Sequence, residues 1–190
     1  MNLATAQKYA AAIKDWLAPQ CERIEIAGSI RRGLAVCNDV DIVAIPKTKE
    51  GADLAGPTGE QHNLLWEFLV EYVKASNGRA QFKSGGQVPG KQALLRLPKC
   101  DLDVWFATER TWATRFLQRT GSMEHNIWLC SRAQDRGMKW QPYDGLLFQG
   151  RILSATTETQ IYEALGLAYI EPANRCQSWI KKHLEFGMEQ

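Results

Sequence analysis

Long apolar runs are missing from this 190-residue chain. No stretch of about 18 or more hydrophobic residues is present, so nothing reads as a helix able to cross a bilayer, and no membrane association is expected. Met1-Asn2-Leu3 opens no basic-then-apolar leader, which gives the expectation of a cytoplasmic protein. Cysteine is sparse and odd in number, and Cys21, Cys37, Cys100, Cys130 and Cys176 form no Cys-x-x-Cys pair. That pattern fits reduced thiols rather than a disulfide framework. The three histidines, His62, His125 and His183, are scattered, which argues against a structural zinc site. Excess charge is also lacking. The net charge is +2, with 16 Lys/Arg against 13 Asp/Glu in residues 1–120 and 7 against 8 in residues 121–190. A tight duplex binder usually carries a clear basic excess, so any nucleic-acid affinity here should be modest and salt-dependent. No internal repeat or low-complexity segment occurs.

What is present is a concentrated set of turn residues, arginines and carboxylates. Gly28-Ser29-Ile30-Arg31-Arg32 precedes Asp39-Val40-Asp41, and that aspartate pair is followed by Ile42-Val43-Ala44-Ile45. A bare Asp-x-Asp could be a solvated strand edge, but this one is flanked by a run that reads as a buried strand. Alternate residues of a strand share a face, roughly 6.6 Å apart at about 3.3 Å per residue. Ionised carboxylates on a buried strand are costly unless paired or metal-bound. Two so placed can converge on metal ions roughly 3.5–4 Å apart. A Gly-Ser turn opening a short helix offers backbone N–H groups to phosphate oxygens. A second Asp-x-Asp, Asp101-Leu102-Asp103, lies in the apolar segment Val104-Trp105-Phe106. Either of its aspartates could complete a carboxylate triad, and periodicity alone does not choose.

Gly28-Ser29-x-Arg31-Arg32-Gly33, Asp39-x-Asp41, Asp103 and Thr120-Gly121-Ser122, in this order and spacing, resemble the family X DNA polymerases, the DNA polymerase beta-like nucleotidyltransferases. The likeness continues through Asn126, Arg132-Ala133, Gly137-Met138, Asp144-Gly145-Leu146 and Glu163-Ala164-Leu165-Gly166-Leu167-x-Tyr169-Ile170-x-Pro172-x-x-Arg175, and spans about residues 20–176. The resemblance selects Asp103 over Asp101. It implies that Asp39, Asp41 and Asp103 hold two magnesium ions, with manganese a possible substitute, and that Asp103 helps remove the proton of the attacking 3′-hydroxyl. Gly28, Ser29 and Arg32 would grip the phosphates of a nucleoside triphosphate, with Asn38 contributing from the position where the family usually has glycine. Gln118, Arg119, Thr120 and Gly121 would border the nucleotide sugar, and Asn126 would contact the base or the minor-groove side.

The implied activity is nucleotidyl transfer to a nucleic-acid 3′-hydroxyl, with DNA-templated short gap filling of the repair type first. Template-independent addition comes second, and a catalytically idle binding domain third. The partners implied are a nucleoside triphosphate and a DNA primer and template, the protein acting as a monomer. With one helix before Ile24, the chain is expected to be a minimal form without the family's N-terminal lyase domain. It departs from the family where Gln118-Arg119 replace an aromatic pair, and where Ile127 and Cys130 stand in place of side chains that meet base and template.

The expected fold is α/β (α+β), a palm with a mixed sheet and helices on one face (residues 1–120), followed by a small C-terminal lobe (121–190). Leu3, Ala6, Tyr9, Ile13 and Leu17 recur at helical spacing, as do Leu64, Leu65, Phe68, Leu69, Tyr72 and Val73. These predict helices over 3–17 and 64–75, with further helices near 109–119 and 123–136. Strands are expected near 22–27, 39–45, 79–84, 92–97 and 101–106. Pro46 to Gly59 reads as a loop, and Ser84 to Gly90 as a flexible connection. Thr157-x-x-Gln160 forms a capping box for a helix ended by Gly166. Trp105, Trp112, Trp128 and Trp179 are expected in the core, and Trp140 there rather than stacked on a base.

Overall fold

The computed structural model describes residues 1–53, 56–141, 145–153 and 155–175. Asp144, Cys176, Trp179, His183 and the end of the expected C-terminal lobe lie outside them. Helix α1 (Leu3–Leu17) starts where the Asn2 side chain accepts from the Thr5 N–H at 2.9 Å. Ala6, Ala10, Ile13 and Leu17 fall on its buried stripe. Helix α3 (Leu64–Ala75) begins in the same way, with Asn63 accepting from the Trp66 N–H at 2.9 Å, and buries Leu65 and Leu69. Such caps supply partners for N–H groups that the first turn leaves orphaned, and each is worth about 1 kcal/mol.

Both helices cover one face of a five-stranded sheet ordered β1 (Cys21–Ile26), β2 (Asp39–Pro46), β7 (Asp101–Phe106), β6 (Gln92–Arg96), β5 (Gln81–Val88). The pairing of β2 with β7 is parallel and the others antiparallel, so the sheet is mixed. Val40, Ile42 and Ala44 of β2, with Leu102, Val104 and Phe106 of β7, point into the helix-covered core. Because side chains alternate, Asp39, Asp41, Asp101 and Asp103 are left to the opposite face. That face is closed at its far end by a small apolar cluster of Ala27, Val43, Ile45, Trp105, Ala107 and Trp112, the last from helix α4 (Trp112–Thr120).

Two segments differ from expectation. Residues read as a loop form an antiparallel ribbon, β3 (Thr48–Asp53) with β4 (Gly56–Asn63), outside the main sheet. Residues 48–50 and 59–62 are exposed, so no apolar alternation marks these strands. The Ser84-Gly85-Gly86 segment belongs to β5, which bulges between Phe82 and Gln87 and pairs again at Gln87 with Ala93. Glycine is required there: a Cβ on Gly86 would come within 2.8 Å of Leu94.

The C-terminal half packs helix α4, helix α5 (Met123–Asp135) and helix α6 (Glu158–Ala164) with a three-stranded sheet of β8 (Met138–Gln141), β9 (Gly145–Phe148) and β10 (Arg151–Ile152). Its core holds Ala113, Leu117, Leu129, Ala133, Leu146, Ile161, Tyr162 and Leu165, with Trp128 and Trp140 packed against it. The capping box of Thr157 and Gln160 opens α6.

Candidate active site

Strand register builds the site. In the parallel pair β2–β7, Asp39 lies beside Asp101 and Asp41 beside Asp103, so carboxylates from two Asp-x-Asp segments share one patch of sheet. The turn from β1 into the four-residue helix α2 (Gly28–Arg31) abuts this patch. Gly28 has φ +60°, and a Cβ there would lie 1.9 Å from Asp41 Oδ2. The backbone therefore packs directly against the carboxylate, which only glycine permits. Ala27 N–H donates to the Asp41 carbonyl at 2.9 Å and fixes the turn to β2.

Each aspartate meets a different surrounding. Trp105 Nε1–H donates to Asp41 Oδ1 at 3.2 Å, and the Arg119 guanidinium stacks on the Trp105 ring 3.3 Å from its centroid. Burial, then the neighbouring Asp39 carboxylate, pushes the Asp41 pKa up to about 7, against the pull of Trp105 and Arg119. Asp103 is also raised, by burial and by Asp39 and Asp101, while Lys83 opposes the rise. Lys83 Nζ donates to Asp103 Oδ1 at 2.6 Å and lies 3.1 Å from Asp101 Oδ2. Burial works against the lysine's charge, but these carboxylates more than offset it and raise its pKa.

The arginines divide. Arg31 reaches across to the C-terminal half, donating to Thr120 Oγ1 at 2.6 Å and to both oxygens of Glu158 at 2.8 and 2.6 Å. Arg32 donates to the carbonyls of Thr120 and Gly121, the latter at 2.7 Å. Thr120 ends α4, Gly121 caps it, and Ser122 caps α5 by accepting from the His125 N–H at 3.2 Å. Asn126 donates to the Gln118 carbonyl at 2.8 Å and packs on Gly121, where a Cβ would meet its side chain at 2.5 Å.

A cleft of about 610 Å³ opens beside these groups, lined by Arg32, Asp41, Gln118, Arg119, Gly121 and Asn126, with Ile127 and Cys130 on its α5 wall. Six residues marked in the sequence thus meet around one space. Asp103 joins through its register with Asp41 and Asp39 through β2. Ser29 sits in the turn with its Oγ buried and without a hydrogen-bond partner. Asn38 is exposed where β2 begins and does not line the cleft. Trp140 packs on the C-terminal core, away from this cleft.

Three further groups bear on the site. Trp105 lies in the core as expected, 9% exposed, and as the second residue after Asp103 it also shares the face of the aspartates. Lys83 sits on a strand two places from β7 in the sheet, and Glu158 is 127 residues from Arg31. No sequence signal points to either.

Residues 115–176 match the family model described as DNA polymerase beta thumb. The chain is family X polymerase-like. DNA polymerase lambda of Rattus norvegicus is 25% identical over 168 residues, covering 78% of this chain and 28% of that protein. DNA polymerase IV of Saccharomyces cerevisiae is 38% identical over 63 residues, 33% of this chain and 11% of that protein. The family X polymerase-like chain thus spans under a third of the length of these curated relatives.

The donor set suits a hard divalent cation: carboxylate oxygens, with Asp41 half-buried among like charges. Among the described residues no three acidic, histidine or cysteine side chains are gathered closely enough to hold an ion as they stand. Trp105 holds Asp41, and Lys83 holds Asp103.

Proposed function

We propose that this chain transfers a nucleotidyl unit from a nucleoside triphosphate to the 3′-hydroxyl of a DNA primer, in DNA-templated, short gap-filling synthesis of the repair type. The observation that carries the reading is the parallel β2–β7 register, which sets Asp41 against Asp103 beside the cleft that Arg32 and the Gly121 turn line. Asp39, Asp41 and Asp103 would hold two divalent cations, magnesium or manganese. Bound there, they would neutralise charge on the reacting phosphate and lower the pKa of the 3′-hydroxyl. The protein's residues supply position. Ser29 Oγ, buried without a partner, and the N–H groups of the Gly28 turn offer donors to phosphate oxygens. Arg32 lines the same cleft and contributes a fixed positive charge. Asp103 takes up the proton of the 3′-hydroxyl. In the same proposal residues 1–120 act as a palm and 121–190 as the lobe that holds the nucleotide, in a monomer.

The α5 wall favours template-independent addition as the second reading, because Ile127, 62% exposed, and Cys130 offer no charge to a template strand. Incubation with magnesium, a labelled gapped duplex and each deoxynucleotide, set beside the primer alone, separates the readings. Extension of the gap only by the complementary nucleotide supports the first, and extension of the lone primer supports the second. No extension under either condition, with magnesium or manganese, refutes both.

A further inference from the structure

Two strands that each bring an Asp-x-Asp pair create a problem of surplus, because four carboxylates share the patch where the proposed reaction uses three. Asp101 stands beside Asp39 and has the same period-two claim on the face as Asp103. Something must distinguish them, and a lysine lies between. Lys83 follows Phe82, which pairs with Leu95, and Leu94 in turn pairs with Asp103. The lysine is thus the residue after the last regular pair before the bulge, on the side of the sheet where it meets Asp103. Its ammonium reaches Asp103 Oδ1 at 2.6 Å and Asp101 Oδ2 at 3.1 Å. The bulge after Phe82 sits beside the lysine, and bulges next to active sites commonly re-aim a side chain.

We propose that Lys83 is a positioning residue that decides which carboxylates face the divalent cations. It engages Asp101 and one oxygen of Asp103, leaving the other oxygen of Asp103 to act with Asp39 and Asp41. An ammonium is a compact point charge with three donors, and a carboxylate has two oxygens with about four lone-pair sites. Lysine and metal can therefore share Asp103, one on each oxygen. The same charge repels cations from the Asp101 side and keeps that carboxylate out of the ligand set. Lys83 is only 21% exposed and Asp103 14%, so solvent screens the pair less than it would at the surface. The inference rests on the reading of Asp39, Asp41 and Asp103 as metal ligands.

Manganese binding to the whole chain without nucleotide, followed by the electron paramagnetic resonance signal of the free ion, tests it. Asp103→Asn should weaken binding, and Asp101→Asn in the native background should change it by less than about twofold. Lys83→Met should tighten binding by about tenfold or more, the scale expected from removing a unit charge a few ångströms from the ion. Adding Asp101→Asn to Lys83→Met should reverse much of that gain. Lys83→Arg should stay within about threefold of the native protein because it keeps the charge. Unchanged or weaker binding in Lys83→Met overturns the inference while leaving the metal reading intact. No manganese binding by the native protein overturns the metal reading itself. Circular dichroism checks the fold, and Lys83→Gln repeats the comparison should the methionine variant unfold.

Discussion

Replacing Glu158 by glutamine removes one negative charge from a site where two arginines meet. Glu158 is 7% exposed, and the side chain of Arg175 is fully buried. Arg175 donates to Glu158 Oε1 at 2.9 Å and Oε2 at 3.3 Å, while Arg31 takes the same two oxygens from the other side. Tyr169 adds an O–H at 3.2 Å. Breaking a buried pair by removing one partner leaves an uncompensated charge and costs about 3–5 kcal/mol. For a chain of this size that corresponds to a fall of roughly 6–20 °C in Tm, at about 2–4 °C per kcal/mol.

Acid should reveal the same site. Burial works to raise the Glu158 pKa, but the hydrogen bonds and charges of Arg31 and Arg175 prevail and hold it at about 2, below the ordinary 4.5. A carboxyl depressed in the folded state stabilises fully above its unfolded value and loses that contribution as pH falls toward the folded one. The window is pH 4.5 to 2, and the contribution is on the order of 3 kcal/mol. His125 acts in a higher window. Burial, then the charge of Arg175, lowers its pKa from 6.5 to about 4, so between those values the unfolded chain binds a proton that the folded one refuses. Asp41, raised to about 7, acts with the opposite sign over the same range, because there the folded chain holds a proton that the unfolded one lacks. The two offset each other, so the loss of stability should be concentrated below about pH 4.5, through Glu158. Urea unfolding at pH 7, 5 and 3, followed by circular dichroism, measures it. Glu158→Gln should lose stability at pH 7 and lack the fall that the native protein shows between pH 5 and 3. A variant within 1 kcal/mol of the native protein at pH 7 would refute the reasoning, since the arginines would then need no buried partner.

Asp103→Asn should reduce nucleotide incorporation by several orders of magnitude with little change in nucleotide binding, whereas Asp101→Asn should be much milder; primer-extension rates decide, and the reverse ranking would move the third ligand to Asp101. Gly28→Ala should displace Asp41, because the added Cβ would lie 1.9 Å from its Oδ2 at a backbone φ of +60°; a loss of at least about 1 kcal/mol in urea unfolding and a large loss of extension are expected. Gln118 lines the cleft as a flexible amide able to donate to and accept from a hydroxyl. Discrimination against ribonucleotides should accordingly be only about 10–200-fold, the range of one modest steric difference, and paired kcat/KM values above several thousand-fold would contradict this.

The aspartates were legible because side-chain alternation along a strand is intrinsic to the backbone. An Asp-x-Asp set among apolar residues fixes its own facing wherever the strand sits. Helices α1 and α3 and the Thr157 capping box were legible for the same kind of local reason. The partners that tune those aspartates were not. Lys83 reaches Asp103 only because β6 and β5 follow β7 in the sheet, an order that local patterns do not encode. Trp105 gave a usable signal, two residues after Asp103, but its apolar bulk pointed equally to the core it also joins. The β3–β4 ribbon escaped notice because its exposed polar residues carry no apolar period.

In mechanical terms, helix α2 is a crank. It sets Gly28 against the Asp41 carboxylate, and its last residue Arg31 and cap residue Arg32 against the start of the C-terminal half. Gly28 and Arg31 are separated by three peptide units of fixed Cα spacing, about 3.8 Å each, and no flexible linker intervenes. A displacement of about an ångström at the Gly28 turn must therefore be taken up at Thr120, Gly121 and Glu158. Stiffness, rather than charge alone, ties the Gly28 end of the cleft to the wall that faces it.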